Sequence, residues 1–145
     1  MSTVLNGQVI GLAHYATRAV LERELARCAV TFHQSVALNA VTAEGGVATR
    51  ADLVARLTGA LKVGQTTARA TLDELTAAGL LRELPAGGSG LALTHAGAAR
   101  RQRIADAVAD LTARLYADIP AADTAVTARV LTLLKRRADA ELAGA

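Results

Sequence analysis

Along most of the chain, hydrophobic positions recur at helical spacing, and one short stretch carries the two-residue alternation of strands. Leu5, Val9, Leu12, Ala16 and Ala19 fall every three to four residues, which predicts a long first helix over residues 4–27. A second helix is expected from about Thr31 in "TFHQSVALNAVTAEGG", stopped by Gly45 and Gly46. "TRADLVARL" reads as a short third helix; Thr49 is placed to cap it, and Asp52 three residues on completes a capping-box-like pair. Gly59 and Ala60 interrupt that pattern, so a fourth helix is expected to start near Gly64 and to end at Gly79. Residues 80–94, "LLRELPAGGSGLALT", hold two apolar–polar alternations around Pro85 and a glycine cluster, the pattern of a two-stranded hairpin. Ile104, Val108, Leu111, Leu115 and Ile119 form the stripe of a fifth helix that Pro120 ends. Val126, Val130 and Leu133 mark a last helix from about Ala122.

The fourth helix collects its polar side chains at its start. Ala68, Leu72 and Leu75 lie on one face and are expected to pack inward, while Gln65 and Arg69, four apart, share the opposite face with Thr66 beside them and Thr67 next in line. Helix propensity does not ask for threonine there. Two short helices, a tight turn and a hairpin describe a winged helix-turn-helix, whose second helix enters a DNA major groove by its N-terminal residues. Gln can pair with adenine, Arg with guanine, and Thr can meet a base or a phosphate. The free N–H groups of the helix start suit a phosphate as well. Arg50 and Lys62, each near the start of a short helix, are placed to grip phosphates, as are Arg82 at the base of the first wing strand and Ser89 in the wing. The acidic Asp73 and Glu74 come only later, where the helix leaves the groove.

In this order the segments "FHQSVALNAV", "RADLVARL", "TTARATLDELTAAGLL" and, after the wing, "LALTHAG" resemble the MarR family of bacterial transcriptional regulators, over nearly the whole chain. The resemblance implies one domain over residues 1–145, mainly α-helical. Residues 31–97 would form a winged helix-turn-helix core with a two-stranded β wing, and residues 1–28 and 98–145 the long N- and C-terminal dimerisation helices. It implies a homodimer held through Leu5, Val9, Leu12, Leu111, Leu115, Val126, Val130 and Leu133, reading a palindromic operator in double-stranded DNA. It further implies a repressor released by a small-molecule effector, whose pocket between the dimer helices and the reading domain would draw on His14, Tyr15 or His33. One departure stands out: relatives carry an Asp-Arg-Arg-like wing whose Arg enters the minor groove, whereas "PAGGSG" has no cation. Each phosphate that such a wing leaves ungripped flattens the log–log salt dependence by roughly 0.9.

Composition narrows the picture further. The chain has 145 residues, enough to bury a core, yet aromatics make up only 2%, so that core is built from Leu, Val and Ala. Sixteen basic against thirteen acidic residues give a net charge of +3. Between Glu44 and Arg103 eight basic residues face five acidic ones, and the surplus there comes from Arg100, Arg101 and Arg103. Charge alone therefore hints at a polyanionic partner without establishing one. A solvated cluster at Arg100–Arg103 and a functional one are equally compatible with the spacing. Cys28 stands alone, either as a small buried apolar residue or as a thiol sensor, and fits a reducing cytoplasm. No apolar run reaches membrane-spanning length, and the chain is expected to be soluble and cytoplasmic. His14 and His33 have no partner at ligand spacing, so no metal or cofactor is expected. No Gly-x-Ser-x-Gly frame, P-loop or dinucleotide fingerprint points to an enzyme. The neutral wing keeps one rival open: a winged-helix dimer that has lost DNA reading and acts by binding another protein.

Overall fold

The computed structural model describes residues 3–85 and 88–144; Ala86 and Gly87, part of the uncharged wing segment, lie outside the described residues. The elements run α1 (Gly7–Arg27), α2 (Phe32–Ala43), β1 (Val47–Thr49), α3 (Arg50–Leu61), α4 (Gln65–Ala77), β2 (Leu81–Glu83), β3 (Gly90–Leu93), α5 (His95–Leu115) and α6 (Ala121–Ala143). They group into two compact units, Met1–Leu111 and Thr112–Ala145.

Helix starts follow local capping chemistry. The Asn6 side chain accepts from the Val9 amide at 2.9 Å. Thr31 forms a complete capping box with Gln34: its Oγ1 accepts from the Gln34 amide at 3.1 Å, and its own amide donates to Gln34 Oε1 at 3.0 Å. Thr31→Ala is expected to destabilise the fold by about 0.5–2 kcal/mol, read as a lower denaturant midpoint. Thr49 caps α3 by accepting from the Asp52 amide at 3.1 Å. Gly79 ends α4 at φ +75°, a left-handed conformation that glycine adopts without strain; its amide donates to Thr76 and that of Leu80 to Leu75.

Three elements differ from the pattern-based expectation. The wing is part of a three-stranded antiparallel sheet, not a two-stranded one, in the order β1-β3-β2. β1 pairs Val47 with Ala92, Ala48 with Leu91 and Thr49 with Gly90, while β2 pairs Leu81 with Leu93 and Glu83 with Leu91. The third strand forms because the turn at Gly45 and Gly46, both at positive φ, directs Val47–Thr49 alongside β3 before Thr49 caps α3. α3 runs straight through Gly59 and Ala60 to Leu61 and stops where Lys62 turns left-handed at φ 56°. A helical glycine costs only about 1 kcal/mol, and the apolar face of α3 outweighs that. α5 ends at Leu115, short of Ile119, and Asp118 at φ 64° lies between it and α6.

In the first unit, Leu25, Leu38, Leu53, Leu57, Leu72, Leu75, Leu81 and Leu91 are buried in one cluster that draws on α1–α4 and the sheet. Ile104 and Val108 of α5 join the same cluster, and Leu111 is only 6% exposed. This corrects the expected interface: Leu111 is taken up within its own chain, and of that stripe Leu115 and Ile119 are left open. Periodicity finds the apolar face of a helix but not which chain covers it. In the second unit, α6 has no buried residue.

Candidate nucleic-acid interface

α4 is oriented by its apolar side. Ala68, Thr71, Leu72 and Leu75 are buried, so Gln65, Thr66, Thr67 and Arg69 all face outward. At about 100° per residue these four fan across the exposed side instead of forming one line. Gln65 and Arg69 flank one hollow of about 410 Å³ between α3 and α4, together with Arg50, Val54, Thr58 and Ser89. Thr66 and Thr67 line a different one, of about 440 Å³, with Arg18, Thr31, Phe32, His33 and Glu74. Thr66 therefore borders a different hollow from the Gln65–Arg69 pair, on the same exposed first turns of α4. Arg69 donates from Nη2 to Gln65 Oε1 at 3.1 Å, which holds the guanidinium and the amide as one donor–acceptor unit.

The expected phosphate-binding residues are distributed around this helix. Arg50, at the first position of α3, has its amide donating to the Ser89 carbonyl at 2.7 Å. Its guanidinium pairs with Asp73 of α4 at 3.0 Å and reaches Glu83 of β2 at 3.8 Å. Lys62 follows α3, and its Nζ donates to the Gly59 carbonyl at 2.6 Å. Arg82 is exposed on β2, and Ser89 is exposed just before β3.

His33 lines the 440 Å³ hollow, but His14 and Tyr15 do not. They sit exposed on α1, their rings 6.0 Å apart. Arg18 also lines that hollow; its guanidinium lies 4.1 Å from the centre of the Phe32 ring and pairs with Glu22 at 3.1 Å. Nothing in the local pattern singles out Arg18, because its aromatic partner lies on the next helix.

The cluster at the start of α5 has a structural use. Arg100 donates to the carbonyl of Cys28, the buried C-cap of α1, at 2.9 Å, and Arg101 donates to Asn39 at 3.3 Å. Both cations therefore tie α5 to the first two helices. Among the described residues no group of three or more His, Cys, Asp or Glu is arranged to hold a metal, and no helix is long and apolar enough to cross a membrane.

No protein-family model and no curated protein matches the sequence. Solved structures do match. A MarR family transcription regulator aligns at 27% identity with a TM-score of 0.75, over 94% of this chain and 89% of its own. A mutant of MarR from E. coli, complexed with operator DNA, aligns at 22% identity with a TM-score of 0.74, over 88% of this chain and 91% of its own. An organohalide-sensing transcriptional regulator in its 2,4-dichlorophenol-bound form aligns at 13% identity with a TM-score of 0.76, over 90% and 77%.

Proposed function

We propose that this chain, whose fold is similar to that of MarR-family regulators, is a DNA-binding transcriptional regulator that acts as a homodimer on a palindromic operator. The observation that carries this reading is the outward-facing start of α4. Gln65 and Arg69 stand clear of the protein above a buried leucine face, one short turn from α3 and beside a sheet, in the fold of a relative complexed with operator DNA. Gln65, Thr66, Thr67 and Arg69 would meet bases or the adjoining backbone, with Lys62, Arg82 and Ser89 toward phosphates.

A second copy is the partner that α6 calls for. Its Val126 and Leu133 are exposed, as are Leu5, Leu12 and Leu115 elsewhere in the chain, with Val9 and Val130 half-buried. A 23-residue helix with no fully buried residue has most of its apolar side chains available for an identical partner. We assign the effector, a small aromatic molecule, to the hollow where Arg18, Phe32 and His33 adjoin Thr66 and Thr67. Occupancy there bears directly on the first turn of the reading helix. An effector at that point would disturb the reading helix and release DNA, as the repressor reading requires.

Selection of bound duplexes from a random pool tests the proposal, with recovery of a palindrome expected. Arg69→Ala should then weaken binding to the recovered duplex by about 1–3 kcal/mol and relax preference at one base position per half-site. Affinity should fall steeply with added salt. A shallow salt response with no preferred duplex would instead favour the protein-binding dimer.

A further inference from the structure

We infer that Arg50 is a positioning residue of the reading helix: by occupying the Asp73 carboxylate, it keeps that carboxylate from capturing Arg69. This rests on the DNA-binding reading of α4. The geometry behind it is specific. Gln65, Arg69 and Asp73 succeed one another at intervals of four on α4, so Asp73 stands one turn beyond Arg69, the spacing at which an acid and a base on a helix pair. Yet Arg69 turns toward Gln65, and Asp73 turns toward Arg50 at 3.0 Å. Arg50 comes from another helix and is the least exposed of the three partners in its network, its side chain 27% accessible against 67% for Asp73 and 73% for Glu83. Its backbone is also fixed, through the 2.7 Å bond from its amide to Ser89. It is therefore an anchored cation held against a carboxylate on the groove-facing helix.

For a polyanionic partner this arrangement matters in two ways. The Asp73 charge is neutralised where it would otherwise repel phosphates, and the Arg69 guanidinium keeps its donors for a base edge. The same cation reaches Glu83 on β2, so the start of α3, the middle of α4 and the wing share one ionic link. In this role Arg50 need not touch DNA at all.

A mutant cycle on the full-length protein separates this role from a direct grip on phosphate. The probe is the duplex recovered by selection on the wild-type chain. Arg50→Ala should weaken binding about ten-fold, the scale of one good side-chain-to-base pairing, and should blur the base preference assigned to Arg69. Asp73→Asn in the Arg50→Ala background should restore most of the affinity and the preference. If Arg50 instead grips a phosphate, Asp73→Asn gives no rescue and the salt slope falls by roughly 0.9, which overturns the inference. A second arm needs no DNA: the Arg69 Nε–Hε signal in solution NMR, assigned by its loss in Arg69→Ala, should shift in Arg50→Ala and return in the double variant. An unmoved signal overturns the inference. A signal that responds in a protein that binds no duplex keeps the pairing and removes the DNA-binding reading instead.

Discussion

Gly97→Ala is expected to lower the stability of the first unit by about 3 kcal/mol, the upper part of the range for an overpacked site, with a melting temperature roughly 10 °C lower. A methyl group at that position would lie 2.1 Å from the Leu80 carbonyl oxygen and 2.9 Å from Leu93 Cδ1. The first obstacle is backbone and cannot rotate away. It is also held in place: the Leu80 carbonyl accepts from the Thr94 amide at 3.1 Å. The Thr94 hydroxyl donates to the Gly79 carbonyl at 2.6 Å and accepts from the Gly97 amide at 2.9 Å. The segment "LTHAG" thus pins the start of α5 onto the turn that ends α4, and the glycine is what lets the two backbones meet. Gly59→Ala is the control, because nothing lies within 4 Å of a methyl group there and the residue is helical. It should raise stability by about 0.4–1 kcal/mol. Thermal melts of the two variants should move in opposite directions; a Gly97→Ala protein that melts like the parent would mean the two backbones separate without penalty.

Leu131→Asp should convert the proposed homodimer to monomers at micromolar concentration. Leu131 borders a hollow of about 400 Å³ with Tyr116, Ile119, Ala128 and Thr127, a surface that is mostly carbon. Losing a buried leucine costs about 1.5–3 kcal/mol, and an unpaired carboxylate in its place adds to that. In a two-fold pair each substitution counts twice, so the penalty is roughly 4–6 kcal/mol, or three to four powers of ten in the dissociation constant. Sedimentation equilibrium reads the change directly, and circular dichroism should show the helices retained. A dimer that persists with unaltered affinity would place its interface on another face of the molecule.

Local chemistry made most of the helical frame legible from sequence. The caps at Thr31 and Thr49 and the C-terminal glycine of α4 act across three to five residues, so their signals sit within a short window. β1 was not legible, since three residues are too few to show alternation and their partner strand lies past two further helices. The break expected at Gly59 was misplaced, because the helix ends where Lys62 adopts a left-handed backbone, a feature no residue type announces. At the candidate interface, the exposure of Gln65 and Arg69 follows from the leucines opposite them. The division of Thr66 and Thr67 into another hollow depends on α1 and α2, and the partners of Arg50 come from α4 and β2, so neither could be read from neighbouring residues. Likewise, the stripe on α5 marks what is apolar but not that Ile104 and Leu111 are covered within the same chain.

A core assembled almost wholly from aliphatic side chains also determines how this molecule can be watched. The chain has no tryptophan and two tyrosines, Tyr15 and Tyr116, which are 68% and 57% exposed. Their ultraviolet emission is therefore nearly blind to melting of the leucine cluster. Tyr116 borders the hollow beside Leu131, so a change in its quenching on dilution would report the parting of the proposed dimer while every helix remains intact.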